Sequence, residues 1–314
     1  MNWNQFVQQT VNGLTDGSVY ALIALGFSIV YGILKLLNFA HGDVFMIGAF
    51  IGFFVLTGFG GPLSPSIPIP LLIVLMFVCA MIGCGALGVV IERFAYRPLR
   101  NAPRIAPLIS ALGVSFFLQN SALLLFGSQI RSYDTFELGN GVYAFPQHAI
   151  HWGPLQVSIV RLLTIGLAIV LCIGLTLFVA RTRLGKAMRA TAFDREAAEM
   201  MGIDVDRVIA SAFFIGSALA GAAGVMFGLV FENIWNFVGF DPGLKAFTAA
   251  VIGGIGSIPG AMLGGLVVGL AEAYSSGYIP NGTTYQDVWV FSLLIIVLLI
   301  RPTGLLGKAD IKKV

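Results

Sequence analysis

Charge is what this chain has least of. Only 11% of its 314 residues are Asp, Glu, Lys or Arg, while 57% are hydrophobic, and the mean hydropathy is +0.91. A soluble globular domain carries about 25% charge, so that class is excluded and the chain is read as an integral membrane protein. Cysteine is scarce as well. Cys79, Cys84 and Cys172 all lie inside apolar runs, which makes them small hydrophobes rather than a disulfide or metal set. His41, His148 and His151 are too few and too scattered for a metal site. There is no GxxxxGK[ST] phosphate loop, since GLLGKAD and RLGKAM share only a Gly-Lys pair, and GGIGSIPG has the wrong spacing for a dinucleotide fingerprint. No Ser/His/Asp or Cys/His set is placed where topology would unite it. The chain is therefore expected to be no enzyme and to bind no cofactor of its own. The opening MNWNQFVQQTVNG lacks the basic start and apolar core of a secretory peptide, so the mature chain is expected to begin near Met1.

What is present is a series of long apolar runs. Residues 17–37, 71–91, 105–126, 157–180 and 205–231 are each long enough to cross the hydrocarbon, which takes about 20 helical residues. Residues 2–15 are polar, with Phe6, Val7, Val11 and Leu14 at helical spacing, and read as an interfacial lead-in anchored by Trp3. The first run passes through Lys35 into NFAHGD at 38–43, and apolar residues then resume to Leu56. Residues 57–70 form a Gly/Pro/Ser loop, and 288–300 is short enough to need flanking residues to span. Gln119 and Asn120 are expected to face other helices. The 39 glycines and 13 prolines suit close helix packing and interrupted spans. The expected fold class is an all-α integral membrane protein, one transmembrane domain over 1–314, with a helical bundle of about eight spans.

Basic residues set the orientation. Fifteen of the 18 Lys and Arg fall in 92–104, 181–207, the tail 301–314, or at Lys35; Arg131, Arg161 and Lys245 are the remainder. By the positive-inside rule those four regions are cytoplasmic. Trp3, Trp152, Trp235 and Trp289 then all fall toward the opposite face. Parity follows from this: the span after Arg207 ends outside and the last span starts outside, so residues 244–273 must enter and return. The segment is expected to be a re-entrant helical hairpin that turns at GSIPG, with arms of about a dozen residues, each too short to cross a ~30 Å core.

Irregular backbone at membrane depth survives only where protein or a wet path surrounds it, and broken segments in both halves of a transporter point to a substrate path. The candidates are Asn38, His41, Gly42 and Asp43 in the first half and Gly253, Gly254, Gly256, Pro259 and Gly260 in the second. NFAHGD equally fits a solvated cytoplasmic hairpin beside Lys35, and periodicity does not separate the two.

Residues 181–207 are the longest charged stretch. Thr191 is read as a helix cap reciprocated by Asp194, and Gly202 as the left-handed stop. Phe193, Ala197, Met200 and Met201 fall on one face, and Asp194, Arg195, Glu196 and Glu199 largely on the other. A helix of two to three turns needs a support. Either lipid headgroups or a partner protein would provide it.

Four stretches carry a family likeness: LGFSIVYGILKLLNFAHGDVFMIGA from Leu25, ERFAYRPLR from Glu92, MMGIDVDRVIASAFFIGSALAGAAGV from Met200 and KAFTAAVIGGIGSIPGAMLGGLVVGLAEA from Lys245. Nearly the whole chain resembles the LivH-type permease subunit of branched-chain amino acid ABC importers. The resemblance implies a multi-pass subunit of the bacterial inner membrane with a cytoplasmic C-terminus. It implies a homologous second permease, two cytoplasmic ATP-binding subunits that use the ATP, and a periplasmic amino-acid-binding protein as partners, with no nucleic acid. The EAA-x3-G spacing of such permeases is matched by Glu196, Ala197, Ala198 and Gly202, so contact with the ATPases is implied for this helix, with Phe193 and Met201 beside it. The later Ile-x-Leu-Pro portion is missing, which leaves the detailed coupling geometry open. Two other readings of the same architecture are a permease for urea or short amides and an ion-driven transporter working alone.

Overall fold

A computed structural model of the protein describes residues 3–60, 68–100, 102–103, 105–133, 149–152 and 155–307. Its helices are α1 (Trp3–Leu34), α2 (His41–Gly60), α3 (Ile69–Ile91), α4 (Ile105–Phe126), α5 (Ile159–Arg181), α6 (Arg183–Phe193), α7 (Arg195–Met200), α8 (Val205–Phe231), α9 (Phe240–Gly253), α10 (Ile258–Tyr278) and α11 (Gly282–Ile300). Two short antiparallel ribbons join β1 (Arg131–Ser132) to β4 (Asn233–Ile234) and β2 (Ala149–Trp152) to β3 (Leu155–Ser158). Eight of the described helices are long and apolar enough to cross a membrane. The expected all-α bundle of about eight spans is what the chain forms.

The bundle is layered by burial. The apolar windows of α1 and α8 are 78% and 83% buried, against 22% for α4 and α5 and 6% for α11. The first two are therefore the axis, and the others present most of their surface to lipid or to another subunit.

Helix α1 corrects one expectation. Residues 2–15 are not a separate lead-in, because Trp3 through Leu34 is one helix of 32 residues. Thr10, Thr15 and Ser18 donate to the carbonyls of Phe6, Val11 and Leu14, which satisfies their hydroxyls within the helix. Gly13 and Gly17 meet the backbone of α10 at Gly265 and Gly269. Between helices lipid offers no hydrophobic driving force, so this small-residue seam supplies dispersion contact instead.

Three further expectations shift. The last span is not the short 288–300 but 19 residues from Gly282. Of the polar pair on α4, Gln119 turns inward while Asn120 is exposed and donates to the Phe116 carbonyl. Residues 244–273 form a helical hairpin that turns where expected, but not with two short arms: α9 has 14 residues and α10 has 21, long enough to span, so only the first arm is a half-helix. Residues 61–67 of the predicted 57–70 loop, Asn101 and Arg104 of the 92–104 loop, and 308–314 of the tail lie outside the described residues.

Candidate functional site

The NFAHGD stretch is a break inside the bundle. Helix α1 ends at Leu34, Lys35 turns left-handed (φ 56°), and the chain runs non-helically until His41 opens α2. The His41 ring lies 4.7 Å from that of Phe27 and against Gly26, seven to eight residues back along α1. At 1.5 Å rise per residue the chain has climbed about 10–12 Å back into the bundle. Asn38, His41 and Asp43 are only 3%, 1% and 2% exposed, which rules out the solvated hairpin. Asn38 and Asp43 are held by hydrogen bonds, while His41 Nε2 has no hydrogen-bond partner among the described residues. The Tyr96 hydroxyl donates to Asn38 Oδ1 (3.0 Å) and to the Leu37 carbonyl (3.3 Å), and Gln119 Nε2 donates to Asp43 Oδ1 (2.9 Å).

The break does not meet GGIGSIPG. A Cβ added at Gly42 would lie 2.5 Å from the Gly239 carbonyl oxygen and 3.3 Å from Gly243 Cα, so the start of α2 touches the start of α9, glycine to glycine. Any side chain there would force the two helix ends apart. A small cavity of ≈ 60 Å³ opens at this junction, lined by Gly42, Asp43, Phe27, Gly239, Phe240 and Gly243 among others.

Gly253, Gly254, Gly256, Pro259 and Gly260 sit at the other end of α9. Gly254 and Gly256 take φ of 105° and 89°, and Pro259 stands in the first turn of α10 behind the Ser257 cap. The turn packs beside Gly32 at the end of α1 and against the chain after α11, where the Leu305 and Leu306 N–H groups donate to the carbonyls of Ile252 (2.8 Å) and Gly253 (2.9 Å). The five residues therefore cap α9 at the end where the C-terminal tail begins. What meets NFAHGD from the second half is the glycine pair Gly239 and Gly243.

Sequence reasoning missed a charged cluster. Lys245 Nζ lies 2.9 Å from carboxylate oxygens of Asp241, Glu272 and Asp287, with its side chain 2% exposed. Glu272 in turn accepts from the Tyr20 hydroxyl at 2.8 Å. Asp241, Lys245, Glu272 and Tyr20, with Asp16, border a cavity of ≈ 310 Å³ between α1, α8, α9 and α10. A signal did exist. Lys245, Arg131 and Arg161 are the cations left over from the orientation count, and an ionisable residue within a membrane segment marks function by default. All three are engaged: Arg131 donates to the Phe126 carbonyl (2.6 Å), and Arg161 bonds Asn12.

The family model described as "Branched-chain amino acid transport system / permease component" matches residues 9–300. This chain belongs to that family. The permease is 46% identical over 309 residues to the "High-affinity branched-chain amino acid transport system permease protein BraD" of Pseudomonas aeruginosa, with 98% of each chain covered. It is 44% identical over 310 residues to the similarly described LivH of Escherichia coli, again with 98% of each covered. At 29% identity it also resembles a probable LivH of Methanocaldococcus jannaschii, over 94% of this chain and 90% of that one.

In this permease the loop 181–207 folds as two helices, not one. Helix α6 runs to Phe193, and Asp194 is the cap of α7, accepting from the Ala197 N–H at 3.1 Å. The expected cap, Thr191, is buried in α6 and its hydroxyl has no partner among the described residues. The stop is as expected: Gly202 has φ 80°, and the Gly202 and Ile203 N–H groups close on the carbonyls of Glu199 and Ala198. Ala198 is buried, Ala197 is half-buried and Glu196 is exposed. Phe193 at the end of α6 and Met200 and Met201 at the end of α7 are each more than 80% exposed, apolar residues at both ends of a short helix. Such apolar exposure needs a cover.

Proposed function

We propose that the chain is the membrane-spanning permease subunit of an ATP-driven importer of branched-chain, apolar amino acids in a bacterial inner membrane. It would form the translocation path with a homologous second permease, take substrate from a periplasmic binding protein, and contact two cytoplasmic ATPases, which alone use ATP. What carries this reading is the end-to-end identity with two permeases named for high-affinity branched-chain amino acid transport.

The geometry suits it. Helices α2 and α9 both begin within the bundle and touch at Gly42 and Gly239, the kind of interruption expected where a path crosses a bilayer. The short helix with exposed Phe193, Met200 and Met201 at its ends is the natural seat for an ATPase, and the C-terminus is cytoplasmic in this scheme. When the ATPases close, α7 moves with them, and α2 and α9 rock so that the path opens to alternate faces. Proteoliposomes holding the complete assembly and its binding protein test this: ATP-dependent uptake of leucine is expected. Uptake of urea instead, or uptake driven by an ion gradient without ATPases, overturns it.

A further inference from the structure

The first two turns of α9 separate two spaces. Gly239, Phe240 and Gly243 face the ≈ 60 Å³ junction at Gly42, while Asp241 and Lys245 face the ≈ 310 Å³ cavity. The larger space lies toward the end of the bundle opposite the basic loops, bordered by α1, α8, α9, α10 and the start of α11. Its volume is at the lower end of the range typical for small-molecule sites, about 300–1,000 Å³.

Its charges are not balanced. Lys245 is an ammonium with three N–H donors, and the three carboxylates of Asp241, Glu272 and Asp287 take all of them. It has nothing left to offer an anion. Glu272 is spent too, with one oxygen on Lys245 and the other on the Tyr20 hydroxyl. Asp16 lines the same cavity, one helical turn before Tyr20, and no hydrogen bond joins its carboxylate to any described residue. Phe231, Trp235 and Val238 line the same cavity. The site thus offers, in Asp16, a carboxylate without a hydrogen-bond partner among the described residues, lying near the charges of Glu272 and Arg161, together with apolar lining, and its one lysine is fully occupied.

We infer that this cavity is a receiving site in which Asp16 binds the ammonium group of an apolar amino acid, with the Trp235 side of the cavity against its side chain. The inference rests on the proposed function for the substrate class, and it adds that the permease recognises the amine and not the carboxylate. An amine in water is already solvated, so only the net gain of a charge-assisted contact to Asp16 counts, about tenfold or more in affinity, which still leaves a site able to release what it takes.

The test uses the assembled permease–ATPase complex in nanodiscs, read by the fluorescence of Trp235, with Trp235→Phe identifying the signal. Three probes are added separately: leucine, isopentylamine, which lacks the carboxylate, and 4-methylpentanoate, which lacks the amine. Leucine and isopentylamine are expected to change the signal and to compete, and 4-methylpentanoate to do neither. Asp16→Asn should weaken both amines about tenfold or more, the loss of one charged contact, and Asp16→Glu should restore most of it. If 4-methylpentanoate binds as well as isopentylamine, if sodium chloride alone gives the full response, or if Asp16→Asn binds both amines like the parent, the inference falls. Because the carboxylate-free probe is read in the parent protein, misfolding of a variant does not decide the result. Failure of leucine uptake in proteoliposomes, with isopentylamine still bound through Asp16, would instead overturn the substrate reading and leave the amine site standing.

Discussion

A single methyl group distinguishes the α2–α9 junction from an ordinary helix contact. A Cβ at Gly239 would run into the Gly42 carbonyl, and one at Gly42 into the Gly239 carbonyl. Neither obstacle is a flexible side-chain end. Gly42→Ala and Gly239→Ala should therefore each cost about 1–3 kcal/mol, the usual range for overpacking, and should abolish most ATP-driven uptake. Gly58→Ala, where a Cβ meets nothing within 4 Å, is the control and should match the parent. Thermal midpoints in detergent together with uptake measure both effects. Lys245 makes a second residue-scale case. Lys245→Met leaves Glu272 buried with only Tyr20, and breaking a buried pair costs about 3–5 kcal/mol. Asp241 and Asp287 are about half exposed and add little, since water screens them. Lys245→Met with Glu272→Gln should recover a good part of the lost midpoint, because the stranded charge is gone. No recovery would mean that Lys245 acts mainly through the two exposed carboxylates.

At the scale of elements, the apolar runs were legible because each span is set by length and hydropathy, which a sequence displays directly. Helix ends were less so. Thr191 and Asp194 are both competent caps by chemistry, and which one serves depends on α6 continuing to Phe193, its buried side packed against α5 and α8, a tertiary fact. The same holds for α9 and α10: the Pro259 and glycine signals located the turn correctly, but nothing in composition said that the second arm would be half as long again as the first. Gly202 was legible because only one residue type takes φ 80° without cost. Gly202→Pro fixes φ near −65° and removes the N–H that closes on Glu199. It should tilt α7, with its exposed Met200 and Met201, out of place. The expected result is that loaded binding protein no longer stimulates ATP hydrolysis and uptake stops, while the bundle keeps its thermal midpoint within a degree or two of the parent. Gly202→Ala keeps the N–H and pays only the left-handed strain, about 1–2 kcal/mol, so it should retain partial coupling. Unchanged stimulation in Gly202→Pro counts against α7 as the contact.

Over the whole molecule, charge asymmetry is the argument for which way the bundle stands, and the fold adds which segments must share a face. The carbonyls of Ile252 and Gly253, just before the turn at Gly254 to Ser257, accept from the chain just after α11, and Gly254 packs on Gly304 and Gly307, so turn and tail must share a face of the membrane. The cluster around Lys245 lies at the other end of α9, with Asp287 near the start of α11. What the sequence left unreadable at this scale was pairing: Gly42 and Gly239 are nearly two hundred residues apart, and no local pattern announces that two helix starts will touch. Orientation can be tested apart from transport. In a background with Cys79, Cys84 and Cys172 replaced by serine, single cysteines at Phe193, Leu306 and Tyr285 are all exposed positions, 83%, 46% and 53% respectively. A membrane-impermeant maleimide should modify Tyr285→Cys in spheroplasts, and Phe193→Cys and Leu306→Cys only in inverted vesicles. A cysteine at Ser257 should follow Leu306→Cys, because Leu306 donates to Gly253 at the head of the turn whose Gly254 carbonyl accepts from Ser257. Labelling of Leu306→Cys from outside would reverse the orientation, whereas Ser257→Cys and Leu306→Cys reacting from opposite sides would contradict the fold itself.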